Sequence, residues 1–83
     1  MHEVVSCRAL DGYWLEVGFA DGAVGRVDVE ALLWGPVFEP LRDRAFFAQV
    51  RVDPVLATVF WPNGADLSPE FLRDAIRQQP VAR

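Results

Sequence analysis

The stretch from Val59 to Phe71, Val-Phe-Trp-Pro-Asn-Gly-Ala-Asp-Leu-Ser-Pro-Glu-Phe, leaves the chain few conformational choices. Pro62 has no N–H to give to a sheet, so strand pairing must stop near Trp61, and Asn63-Gly64 is the dipeptide that best tolerates positive φ. A turn is expected there. Ser68 then stands at an N-cap position, with Pro69 first in the helix and Glu70 at the positive end of its dipole. The spacing predicts a helix from Pro69 to about Gln79, closed by Pro80. Phe71, Leu72, Ala75 and Ile76 fall on its core side. Glu70, Arg73, Asp74 and Arg77 fall on a solvated side. The stretch therefore reads as a structural corner.

Two Asp-Gly pairs, Asp11-Gly12 and Asp21-Gly22, divide the first thirty residues into three apolar runs, the mark of an antiparallel meander. Two-residue loops would place Leu15, Val17 and Phe19 on the face of Ser6, Arg8, Arg26 and Asp28, which buries unpaired charge. With one more residue in each loop, that face instead collects Val5, Cys7, Ala9, Leu15, Val17, Phe19, Val27 and Val29. Three-residue loops with glycine in the left-handed position are therefore expected, leaving Arg8, Glu16 and Arg26 exposed.

Asp28 can cap a short helix from about Val29 to Trp34, which Gly35-Pro36 ends. Pro40 can start another turn through Leu41, with Phe38 and Leu41 as core anchors. Phe46, Ala48, Val50 and Val52 alternate with Phe47, Gln49 and Arg51, which predicts a fourth strand from Phe46 to Val52. Asp53-Pro54 turns the chain into a fifth, from about Ala57 to Trp61. The expected fold is α+β: a three-stranded antiparallel meander plus a β-hairpin, short connecting helices and a C-terminal helix packed on one face. Residues 1–83 form a single small domain.

Composition enters where it limits function. Hydrophobic residues make up 52% of the 83, with three Trp and six Phe. This is more apolar surface than a small domain encloses with ease, which favours a homodimer or a protein partner. Trp14 and Trp34 fall off the apolar face of the meander and are the candidates to line such a contact. The net charge is −4 and every basic residue is a scattered Arg, which argues against direct nucleic-acid binding. The lack of Lys beside abundant Ala, Val and Gly suggests a high-GC bacterial source. One cysteine permits no internal disulfide and fits a reducing cytoplasm. Met1 to Ala9 alternates like a strand, so neither a signal peptide nor a membrane location is expected.

The chain is poorly supplied for catalysis. Its only histidine, His2, is near the terminus, and its serines are Ser6, within a strand, and Ser68, a cap. Cys7 lies on the inferred apolar face, as a buried thiol does rather than a nucleophile. No Cys-x-x-Cys or paired histidines suggest a metal, no glycine spacing suggests a phosphate loop, and no cofactor is expected. One enzymatic or ligand-binding alternative is a carboxylate pair of Asp28 and Asp66, although a helix cap and a turn explain these residues more simply.

Val27-Asp28-Val29 after a strand and an Asp-Gly turn, then Pro36 to Leu41 with Phe46 or Phe47, and above all Trp61-Pro62-Asn63-Gly64-Ala65-Asp66-Leu67-Ser68-Pro69-Glu70, resemble the small bacterial family called domain of unknown function 2442. The similarity runs from about Met1 to Ile76, with Phe71-Leu72 standing where members often carry a Leu-Tyr-like pair. The resemblance implies no enzymatic activity. It implies a protein that occurs alone or fused to a helix-turn-helix domain, often encoded beside another small protein as in a toxin-antitoxin pair. The helix-turn-helix segment is missing from this sequence. The expectation is a cytoplasmic, non-catalytic interaction protein, the antitoxin-like or accessory member of a two-gene module.

Overall fold

Both Asp-Gly loops enclose three residues in the computed structural model, which describes residues 2–77. Leu10 donates its N–H to the Trp14 carbonyl (2.9 Å) around Asp11, Gly12 and Tyr13, and Phe19 donates to Ala23 (2.8 Å) around Ala20, Asp21 and Gly22. Gly12 and Gly22 have φ of 66° and 94°. The loops join β1 (Val4–Ala9), β2 (Trp14–Phe19) and β3 (Val24–Asp28) into an antiparallel sheet of order β1-β2-β3. Cys7 stands opposite Val17, Ala9 opposite Leu15, and Leu15 opposite Val27. That register puts Leu15, Val17, Phe19 and Val27 in the core, joined by Val29 just beyond the sheet, while Cys7 and Ala9 pack half-buried against them. Burial raises the pKa of the Cys7 thiol by desolvating its anion. On the opposite face Glu16 lies between Arg8 (3.1 Å) and Arg26 (3.7 Å).

Val5 departs from the expected pattern. The register slips between Val4 and Ser6, so Val4 faces Phe19 and is buried, while Val5 is 59% exposed. The Val4 N–H is donated to the Ala57 carbonyl (2.9 Å) in the turn of a second sheet, which draws the start of β1 towards it and rotates the side chains by one position. That second sheet is the hairpin of β4 (Arg51–Asp53) and β5 (Thr58–Phe60). Asp53 closes its turn by accepting the N–H groups of Val55 and Leu56.

Between the sheets the chain forms a 3-10 turn (Glu30–Leu32), α1 (Gly35–Phe38), a second 3-10 turn (Glu39–Arg42) and α2 (Arg44–Phe47). The helix expected from Val29 to Trp34 shortens to this first turn, whose N-cap is Val29 with no side-chain bond, while Asp28, the last residue of β3, accepts the Glu30 N–H (3.0 Å). Leu41 is fully buried and Phe38 partly so. The strand expected from Phe46 is instead helical as far as Phe47, and β4 begins only at Arg51. Asp43 decides this by accepting the N–H groups of Ala45 and Phe46, which starts a helical turn. The turn drives Phe47 into the core, where its ring meets Tyr13 edge-on (5.4 Å) and stacks on Trp61 (5.8 Å). Alternation over a few residues is outweighed by one cap and one buried ring.

The C-terminal helix α3 (Pro69–Arg77) lies against β3. Its approach is close: a Cβ on Gly25 would stand 2.6 Å from the Cβ of Ile76, so only glycine admits the helix at this distance. Closure of the helix by Pro80 lies outside the described residues. Leu72 is fully buried, with Ala75 and Ile76 packed beside it. At about 100° per residue, Phe71 and Arg73 fall on the two margins of that stripe. Neither takes the place expected of it. Phe71 is 40% exposed rather than core. Arg73, instead of facing solvent, lies over the Phe19 ring (5.0 Å) and holds both Asp21 carboxylate oxygens (3.0 and 2.9 Å).

Candidate functional site

The corner from Trp61 to Glu70 contributes Leu67 to an apolar cleft and is tied to α1, which supplies more of the lining. Trp61 donates its N–H to Ala65 (2.9 Å) around Pro62, Asn63 and Gly64, with Gly64 at φ 91°. The Trp61 side chain is buried and donates from Nε1 to the Phe47 carbonyl (2.9 Å), so this tryptophan is a core residue and not a contact surface. Asn63 works in two directions. Its Oδ1 accepts the Ala65 N–H (3.1 Å), and its Nδ2 donates to the Val37 carbonyl (2.9 Å), which ties α1 to the corner. Thr58, buried in β5, donates its hydroxyl to the Leu67 carbonyl and fixes the segment that follows. Ser68 accepts the N–H groups of Glu70 (3.1 Å) and Phe71 (3.2 Å), the expected N-cap.

These bonds bring Leu32, Trp34, Val37, Phe38, Leu67 and Phe71 around an open cleft of about 570 Å³. Trp34 is 73% exposed, far beyond what a residue of its size shows in a folded core. The 3-10 turn before it is anchored by Arg42, whose Nε donates to the Leu33 carbonyl (2.6 Å), so Trp34 projects from a held backbone. Among the described residues no charged side chain lines the cleft, and its lining suits apolar contact.

The expected site residues separate. Trp34 lines this cleft, whereas Trp61, Pro62, Asn63 and Gly64 form the corner and do not line it. Trp14, 39% exposed, lies in a different cleft of about 670 Å³ beside Arg26 and Arg44. Asp28 and Asp66 are both exposed, and neither lines any of the five clefts characterised among the described residues. Asp28 accepts the Glu30 N–H, and Asp66 is bridged to Phe60 at the end of β5. Among the described residues, no group of three or more His, Cys, Asp and Glu could hold a metal ion. Sequence reasoning missed Val37, Leu32 and Leu67 as cleft residues and assigned Phe71 to the core. The position of Phe71 at the stripe margin, one residue before Leu72, was the available signal.

Fold and cleft together define a small α+β domain with an apolar surface cleft held by a turn-and-cap corner. No helix among the described residues is long and apolar enough to cross a membrane. The chain belongs to the family described as protein of unknown function (DUF2442), whose model matches residues 4–78. No curated protein and no solved structure matches it.

Proposed function

We propose that the protein is a non-catalytic interaction domain that presents the Trp34 cleft to a protein partner, as the antitoxin-like or accessory member of a bacterial two-gene module. The observation that carries this reading is a large aromatic side chain left 73% exposed on a backbone that is itself tied down. An ordered, exposed Trp beside exposed Val37 and Phe71 is the composition of an interface centre rather than of an ordinary surface.

The test is sedimentation of the protein alone and mixed with the product of the adjacent reading frame. Association is expected, and Trp34→Glu is expected to weaken it while leaving thermal stability intact, because an exposed side chain contributes little packing to the monomer. A monomer that ignores its neighbour at micromolar concentration ends this reading.

A further inference from the structure

We infer that the outer edge of β3 is a self-association surface: a second copy of the chain adds its own β3 antiparallel to it, two-fold about Val27, with Arg26 of each copy opposite Asp28 of the other. β3 is the last strand of the β1-β2-β3 sheet. The Phe19 N–H bonded to Ala23 and the Val29 N–H bonded to Tyr13 fix the alternation, so Ala23, Gly25, Val27 and Val29 turn their backbone groups towards β2 while Val24, Arg26 and Asp28 turn theirs outward. Among the described residues nothing bonds to those outward groups. Such an edge is a template for a further strand.

Charge selects the occupant and its register. Across the solvent face of the sheet Arg8 stands opposite Glu16 and Glu16 opposite Arg26, a row of alternating sign that stops at the edge on a cation. Asp28 is the next residue of β3 on that face. It is exposed, its Oδ1 takes the Glu30 N–H, and it makes no ion pair among the described residues. Pairing about Val27 sets Asp28 of the second copy beside Arg26 and continues the row, once on each side of the axis. Other centres fail. About Arg26 or about Asp28 like charge meets like, and about Gly25 both α3 helices, each touching that glycine through Ile76, converge on one point. About Val27 the two Gly25 residues lie about 14 Å apart along the strands, which leaves room for a helix about 10–12 Å wide on each.

The experiment is sedimentation of the full chain at about 0.5 mM, in about 0.15 M salt so that the net charge of −4 on each copy is screened. A dimer is expected. Arg26→Asp and Asp28→Arg should each raise its dissociation constant at least about tenfold, because like charges then stand opposite in both pairs. An equimolar mixture of the two variants should restore association, since every pair of the mixed dimer regains unlike charges. Amide hydrogen exchange gives a readout free of substitution: the Arg26 and Asp28 amides should exchange more slowly at high than at low concentration, and the Val27 amide, already bonded to β2, should change little. A monomer at this concentration, a dimer indifferent to both variants, or a mixture of folded variants that stays monomeric overturns the inference. If circular dichroism shows Asp28→Arg unfolded, the exchange of the unsubstituted chain decides, and amides that ignore concentration overturn it. So does a dimer that Trp34→Glu dissolves and Arg26→Asp leaves whole, or protection of these amides by the adjacent gene product alone.

Discussion

Two turns of this protein have the same backbone bonds and opposite surroundings. In Phe19–Ala23 and in Trp61–Ala65 the first residue donates its N–H to the carbonyl of the fifth, and the glycine in fourth place donates back to the first (2.9 Å in both). In both, the third residue's side-chain oxygen accepts the N–H of the fifth, Asp21 from Ala23 and Asn63 from Ala65 (3.1 Å each). What differs is the remaining polar atom of that third residue. Asp21 uses its charge to hold the Arg73 side chain, whereas Asn63 uses an amide nitrogen to hold the backbone carbonyl of Val37. The first turn closes a hairpin, and the second is tied to α1, whose residues line the cleft. A turn's shape is thus a local property, and its use depends on what lies within reach of its side chain.

The largest effect should come from the flank that is unique to the second turn. Trp61→Ala removes a buried ring, its stack on Phe47 and its bond to the Phe47 carbonyl, and should cost about 3–5 kcal/mol in urea unfolding. A loss below about 1 kcal/mol would mean that the corner is not set by its core anchor.

The glycines test whether the turns are locally equivalent. A Cβ at Gly22 or at Gly64 would meet nothing within 4 Å, and both residues have φ above 90°. Gly22→Val and Gly64→Val should therefore carry the same backbone penalty, about 1–3 kcal/mol each. Unequal penalties would break the equivalence, and unchanged melting for Gly64→Val would count against the corner altogether.

The third residues test the difference. Asn63→Asp keeps the acceptor for Ala65 but sets a carboxylate oxygen against the Val37 carbonyl, and should cost about 1 kcal/mol. It should also loosen the tie between the corner and α1, whose residues line the cleft. Asp21→Asn keeps the bond from Ala23, loses the charge of an ion pair that is exposed on its Asp21 side, and should cost less. A reversed order would show that Arg73 matters more to the fold than the tie to α1.

The smallest effect is a pH signature. The Arg73 hydrogen bonds, with a further bond from the Ala23 N–H, hold the Asp21 carboxyl down at about 2 against an ordinary 3.8. A depressed carboxyl stabilises the folded state above its unfolded pKa and loses that contribution as pH falls through its folded one. The difference in melting temperature between the protein and Asp21→Asn should therefore be constant above about pH 5 and close between about pH 4 and pH 2. A difference that persists at pH 2 would assign the effect to something other than this pair.

What the sequence by itself determined is the part of the fold written in short-range backbone chemistry. Ser68 caps α3 as its type and position demand, and Gly22 and Gly64 take positive φ. The three-residue loops follow from refusing to bury Arg8 and Arg26. Each of these is decided within a few residues, or by the period of a strand, so one chain read alone contains it. The strand drawn from Phe46 failed because Asp43, just upstream, offered the backbone a helical turn and Phe47 needed the core.

Only the tertiary structure decided the rest, because it depends on residues that meet across the chain. Asn63 reaches Val37 over 26 positions, and Arg73 reaches Asp21 over 52. The proximity of Ile76 makes Gly25 obligatory, although nothing near Gly25 in the sequence says so. Val4 replaces Val5 in the core because Ala57, in the turn before β5, accepts the Val4 N–H. The cleft is of the same kind. Leu32, Trp34, Val37 and Phe38 come from one connection and Leu67 and Phe71 from another, and their apolar surfaces face a common space only after the corner has folded back on α1. Local rules fix where the backbone turns, whereas which side chains remain uncovered depends on how the turned pieces pack.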